Sequence, residues 1–73
     1  MTNRQLLTRT AHTVKCGVND LLSGKPQFRP HRRKAAVILL GSGMRMADVS
    51  QLLGMQFPAV WKIESRRKRG ELV

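Results

Sequence analysis

Carboxylates are scarce in this chain. Its 73 residues hold four Asp and Glu against fourteen Lys and Arg, which leaves a formal charge of +10. Four scattered acids give no pair placed for general acid–base work. With no nucleophile–base arrangement and no glycine-rich phosphate loop either, the chain reads as non-enzymatic and without a cofactor. Cysteine occurs once, at Cys16, which excludes an internal disulfide and suits a reducing cytoplasm. His12 and Cys16 stand i,i+4 on an expected helix and could present two metal ligands. No second pair completes a tetrahedral site, since His31 stands alone, and no metal is expected. Tyrosine is absent and the aromatics are Phe28, Phe57 and Trp61. The core must therefore come from Leu, Val, Ile, Met and Ala, which suits packed helices. No apolar run approaches the roughly 20 residues that cross a bilayer. The opening MTNRQLLTRT lacks the apolar stretch of a signal peptide, so the expected location is the cytoplasm.

What the chain has in excess is positive charge. Such a field attracts polyanions, whether DNA, RNA or an anionic membrane face, and nucleic acid is the favoured partner. Solubility alone is served as well by mixed signs at lower net charge. The length allows a single domain, 1–73, which buries only about 60% of its unfolded surface and leaves no room for a deep catalytic cleft.

The apolar periodicity predicts an all-α fold, a bundle of about four helices. Residues 3–22 form a supporting helix, with Leu7, Ala11, Val14, Val18 and Leu21 recurring at steps of four and three. Thr2 or Asn3 can cap it, and Gly24 stands where a left-handed C-terminal residue is wanted. Gly17 falls inside the pattern as a candidate kink or break, but one helix is the reading adopted. Lys25 to Pro30, with two prolines, is a loop in which Phe28 tucks back onto the core. Pro30 stands at a favourable helix start, and residues 31–40 follow as a helix apolar nearly all round, which belongs at the centre of the bundle. A third helix covers Met46 to Leu53, and a fourth runs from near Phe57 or Pro58 to about Lys68. The closing Gly70 to Val73 has no pattern of its own; if the chain continues in a longer protein, the remainder would begin there.

The last two helices meet across a three-residue turn, which demands particular residues. Ser50 supplies a small side chain where the helices cross closest. Gly54, four residues on, supplies a residue able to take positive φ. Met55 plugs the corner, Val60 and Ile63 point inward from the second helix, and Val49 and Leu53 face them from the first. From Arg32 to Arg67, with Ala47-Asp48-Val49, Leu52-Leu53-Gly54-Met55 and Val60 as its anchors, the chain resembles the three-helix core of the bacterial helix-turn-helix DNA-binding superfamily. That superfamily includes phage and plasmid regulators and the DNA-binding parts of resolvases and transposases. Two positions depart from its pattern. Gln56 replaces the usual Ser or Thr cap, and Pro58 removes an N–H from the first turn of the recognition helix. In size, basicity and its extra N-terminal helix the chain is also similar to plasmid stability (Stb-type) DNA-binding proteins.

The resemblance implies sequence-specific binding of double-stranded DNA by a tri-helical core at 31–69, with the motif at Met46 to Arg66. It also implies work as a repressor or in plasmid or phage maintenance, at the nucleoid or on a plasmid. With Val60 and Ile63 inward, the expected base contacts are Gln56, Phe57, Ala59, Lys62 and Arg66. Trp61 is read as covering the core edge; for Phe57 that place and the groove both stay open. Phosphate contacts are expected from Arg45 and from two clusters, His31-Arg32-Arg33-Lys34 and Arg67-Lys68-Arg69. The first cluster opposes its helix dipole, which function explains better than stability does. Glu64 is expected to restrain Lys68 at i,i+4. The protein would act as a homodimer or as several monomers on repeats, with no membrane partner. The alternatives are the DNA-targeting fragment of a recombinase or transposase, and a basic RNA-binding module.

Overall fold

The first helix starts on a reciprocal cap. The Gln5 backbone N–H donates to Thr2 Oγ1 at 3.2 Å while the Thr2 N–H donates to Gln5 Oε1 at 3.0 Å, satisfying two amides that the helix leaves unpaired. From there the computed structural model, which describes residues 2–70, is all helix and turn. It comprises α1 (Asn3–Thr13), α2 (Val18–Leu21), a 3-10 turn (Pro26–Phe28), α3 (Arg29–Gly41), α4 (Met46–Leu53) and α5 (Phe57–Lys68). No strand occurs among the described residues, and the segment 71–73 lies outside them.

The supporting helix expected at 3–22 is two helices, and the break falls before Gly17. Lys15 takes a left-handed conformation, φ 58°. Its N–H bonds the His12 carbonyl at 3.1 Å and the Cys16 N–H bonds Ala11 at 3.0 Å, the pair of bonds that closes a helix in a Schellman motif. Gly17, extended, then leads into the single turn of α2. The apolar spacing continues across the break because both halves lie on the same core: Leu7, Ala11 and Leu21 are buried, with Val14, Cys16 and Val18 packed beside them. Gly24 is left-handed as expected, at φ 77°, but it follows this short α2.

The break also removes the i,i+4 relation of His12 and Cys16, since only His12 is on α1. Cys16 is half-buried. Desolvation, and secondarily the charge of Asp20, push its thiol pKa up, which reduces the thiolate fraction.

The loop expected at 25–30 is shorter than it reads. Residues 26–28 form the 3-10 turn, and α3 begins at Arg29, with Pro30 inside its first turn. Phe28 does not join the buried core; it is half-buried and stands edge-on to His31, ring centroids 6.0 Å apart. α3 is central, touching α1, α4 and α5. Ala35, Ala36, Leu39 and Leu40 supply its buried stripe, while Ile38 is exposed, so the helix is not apolar all round. Leu53, Val49, Val60 and Ile63 complete the core from α4 and α5.

Because a non-glycine residue in the left-handed region costs about 1–2 kcal/mol, and glycine relieves this at some cost in unfolded-chain entropy, Lys15→Gly should stabilise the fold by about 0.5–1 kcal/mol. Urea unfolding checks this; an unchanged or lower midpoint would mean that Lys15 bears no such strain.

Candidate nucleic-acid interface

The α4–α5 turn is closed by one residue pair. Gly54 ends α4 in the left-handed conformation, φ 65° and ψ 27°. A Cβ built there meets nothing within 4 Å, so backbone conformation rather than crowding selects glycine. The Met55 N–H donates to the Ser50 carbonyl at 3.0 Å, and Ser50 Oγ donates back to the Met55 carbonyl at 2.6 Å. The expectation for Ser50 was only that it be small. Its hydroxyl also staples the corner, satisfying a carbonyl that the turn would otherwise leave without a helical partner. Gln56 caps α5 through its backbone alone, its carbonyl accepting from Ala59 and Val60 at 3.0 and 3.3 Å.

Beside this turn a cleft of about 480 Å³ runs between the start of α3 and one flank of α5. Its walls are Arg29, Arg32 and Arg33 from α3 and Gln56, Ala59, Lys62 and Arg66 at the cap and along α5, over a floor of Met55 and Ile63. No carboxylate lines it among the described residues. The positive end of the 13-residue α3 dipole adds to the field of these side chains. Arg32 Nη1 is buried without a hydrogen-bond partner among the described residues. A buried donor in that state costs about 1–3 kcal/mol until it meets an acceptor. An anion of phosphate geometry suits the arrangement, because guanidinium groups bind its oxygens through paired N–H donors.

The structure sorts the expected contact residues into distinct places. Gln56, Ala59, Lys62 and Arg66 share the cleft with Arg32 and Arg33. His31 turns towards Phe28 instead. Lys34 and Arg45 are exposed and outside the cleft, Arg45 standing at the N-cap of α4. Glu64, 8% exposed, holds Arg67 through Nη2 at 2.8 Å and Nε at 3.3 Å, while Lys68 Nζ is 4.0 Å away. The pair expected between Glu64 and Lys68 is therefore primarily a pair with Arg67, because i,i+3 brings the guanidinium fork onto both carboxylate oxygens. That hydrogen bond raises the Arg67 pKa. Arg69 closes α5.

Trp61 does not cover the core edge. It is 54% exposed, and Phe57 is 47% exposed. Arg29 is not among the expected contacts because Pro26 and Pro30 make its segment read as loop; a helix starting two residues before the expected 31 brings it onto the Arg32–Arg33 face.

Among the described residues no group of three or more His, Cys, Asp or Glu is placed to hold a metal ion, and no helix is long and apolar enough to cross a membrane. No protein-family model matches the chain, and neither a curated protein nor a solved structure matches it. Ser50→Ala should cost about 0.5–1 kcal/mol net, the lost hydrogen bond outweighing the better helix propensity of alanine. A variant at least as stable as the parent in urea unfolding would show that the hydroxyl does not hold the turn.

Proposed function

We propose that this chain binds double-stranded DNA through a helix-turn-helix, laying the outward face of α5 in the major groove and holding adjacent backbone with the α3–α5 cleft. The observation that carries the reading is the convergence of Arg29, Arg32, Arg33, Lys62 and Arg66 on one flank of α5. α5 is joined to α4 by a left-handed glycine turn and presents Phe57, Pro58, Trp61 and Lys62 to solvent. Gln56, Lys62 and Arg66 supply donors suited to base edges: Gln56 for adenine, Lys62 and Arg66 for guanine. Arg29, Arg32 and Arg33 supply backbone contacts, which fix register without reading sequence.

The size of the molecule supports use in multiple copies. Its longest extents are 29 Å, less than the roughly 34–36 Å that separates half-sites one helical turn apart. One copy thus reads one half-site, and a homodimer or several monomers on repeats would lengthen the sequence read. Work of this kind fits a repressor or a plasmid or phage maintenance protein.

If about six phosphates are neutralised, log K should fall with log salt at a slope near −5. Selection from a random duplex library should recover altered sites with Lys62→Ala. Arg33→Ala should weaken binding about equally on all sequences. A slope near zero, or displacement of duplex DNA by single-stranded RNA or anionic vesicles at physiological salt, would overturn the reading.

A further inference from the structure

The outward side of α5 has two unlike flanks. Ala59 and Arg66 lie on the cleft side, and Lys62 lines the cleft as well. On the other side of Lys62, by helical period, stand Phe57 and Trp61, one turn apart. Both are large apolar side chains about half exposed, and the cleft does not use them. Two surface aromatics on the same helix face, beside its cations, call for an occupant.

A second copy of this chain fits poorly. Two half-exposed aromatics from each of two copies would bury about 400 Å² together, well below the roughly 1,200 Å² of a stable interface. Pairing would also bring Lys62, Lys68 and the rest of two chains of charge +10 against each other. Duplex DNA has the opposite sign, so the neighbouring cations favour its approach. Within the major groove the apolar group displayed by the bases is the thymine C5 methyl.

We propose that Phe57 and Trp61 form the apolar half of the DNA contact, packing on thymine methyl groups in the major groove while Arg29, Arg32 and Arg33 hold the backbone. The inference deepens the duplex-DNA reading above and rests on it. Phe57 is the first residue of α5, the end that enters a major groove first, and Trp61 extends the contact about 6 Å along the axis. The pair sets a preference for thymine-containing sites that Gln56, Lys62 and Arg66 do not supply.

Trp61 is the single tryptophan of the chain, so its emission reports its own surroundings. The probe is a duplex of alternating A·T pairs two turns long, compared with the same duplex carrying deoxyuridine for thymine, which lacks only the methyl. The expected result is a shift in Trp61 emission on adding the A·T duplex. The unaltered chain should also lose affinity roughly fourfold per methyl covered when deoxyuridine replaces thymine. The double variant Phe57→Ala, Trp61→Ala should bind both duplexes alike; both side chains are surface-exposed, and helical circular dichroism checks its fold. Should that variant fail to fold, the emission shift and the thymine preference of the unaltered chain decide the matter. Salt-dependent duplex binding with unchanged Trp61 emission and no thymine preference would overturn this inference and leave the duplex-DNA reading standing. Emission that shifts with protein concentration alone would assign the surface to a second copy and overturn it. Absence of any duplex binding would overturn both.

Discussion

The buried stripe of α3 is the constraint on which the rest depends. Ala35, Ala36, Leu39 and Leu40 form the wall on which α1, α4 and α5 pack, and the small alanines let neighbouring helices approach closely. The same helix carries Arg29, Arg32 and Arg33 in its first turns, so packing its C-terminal half brings its cationic end alongside α5. Cations at a helix start cost about 0.3–1 kcal/mol each. Each large apolar side chain buried on the stripe returns about 1.5–3 kcal/mol. Burial wins, and α3 can hold an electrostatically unfavourable end in place. That end gathers charge beside a helix that, with Glu64 tied to Arg67, offers no free carboxylate in return.

How far the sequence could be read followed from how local each signal was. The α4–turn–α5 unit was the most legible: α4 lies at Met46–Leu53 as expected, and α5, expected from near Phe57 or Pro58 to about Lys68, spans Phe57–Lys68. Its determinants, the glycine and the inward Val49, Leu53, Val60 and Ile63, lie within about one turn of the positions they control. The N-terminal half was legible by face and not by element. Leu7, Ala11 and Leu21 are buried as their spacing implies, yet the chain between them turns through a left-handed lysine. Periodicity reports which side meets the core, and a Schellman turn that keeps the chain on that core leaves the period nearly intact. Lysine gives no local warning of positive φ, whereas Gly17, which does, sits extended at the start of α2.

The interface was partly legible for a different reason. Side-chain type identified the cations, but which of them converge depends on tertiary placement. Arg32 and Arg33 reach the cleft while the adjacent Lys34 does not, and Arg29 joins them only because α3 starts earlier than Pro30 suggests. Trp61 was misplaced because a large aromatic is more often covered. Val60 and Ile63 take the inward side of α5, and Trp61 is left about half exposed.

The cationic run at the end of α5 illustrates how one charge pattern divides between structure and interface. Successive residues on a helix are about 100° apart, and here Arg66 and Arg67 take different partners. Arg66 turns to the cleft, and Arg67 turns inward to Glu64. A carboxylate as buried as Glu64 would be costly alone; the paired donors of Arg67 supply hydrogen bonds to both of its oxygens. This uses one of the few acids in the chain to neutralise a cation that does not line the cleft. Both Lys62 and Arg66 are thereby left on the outward side without a competing carboxylate, and the field at the cleft is greater than the net charge of α5 alone would indicate.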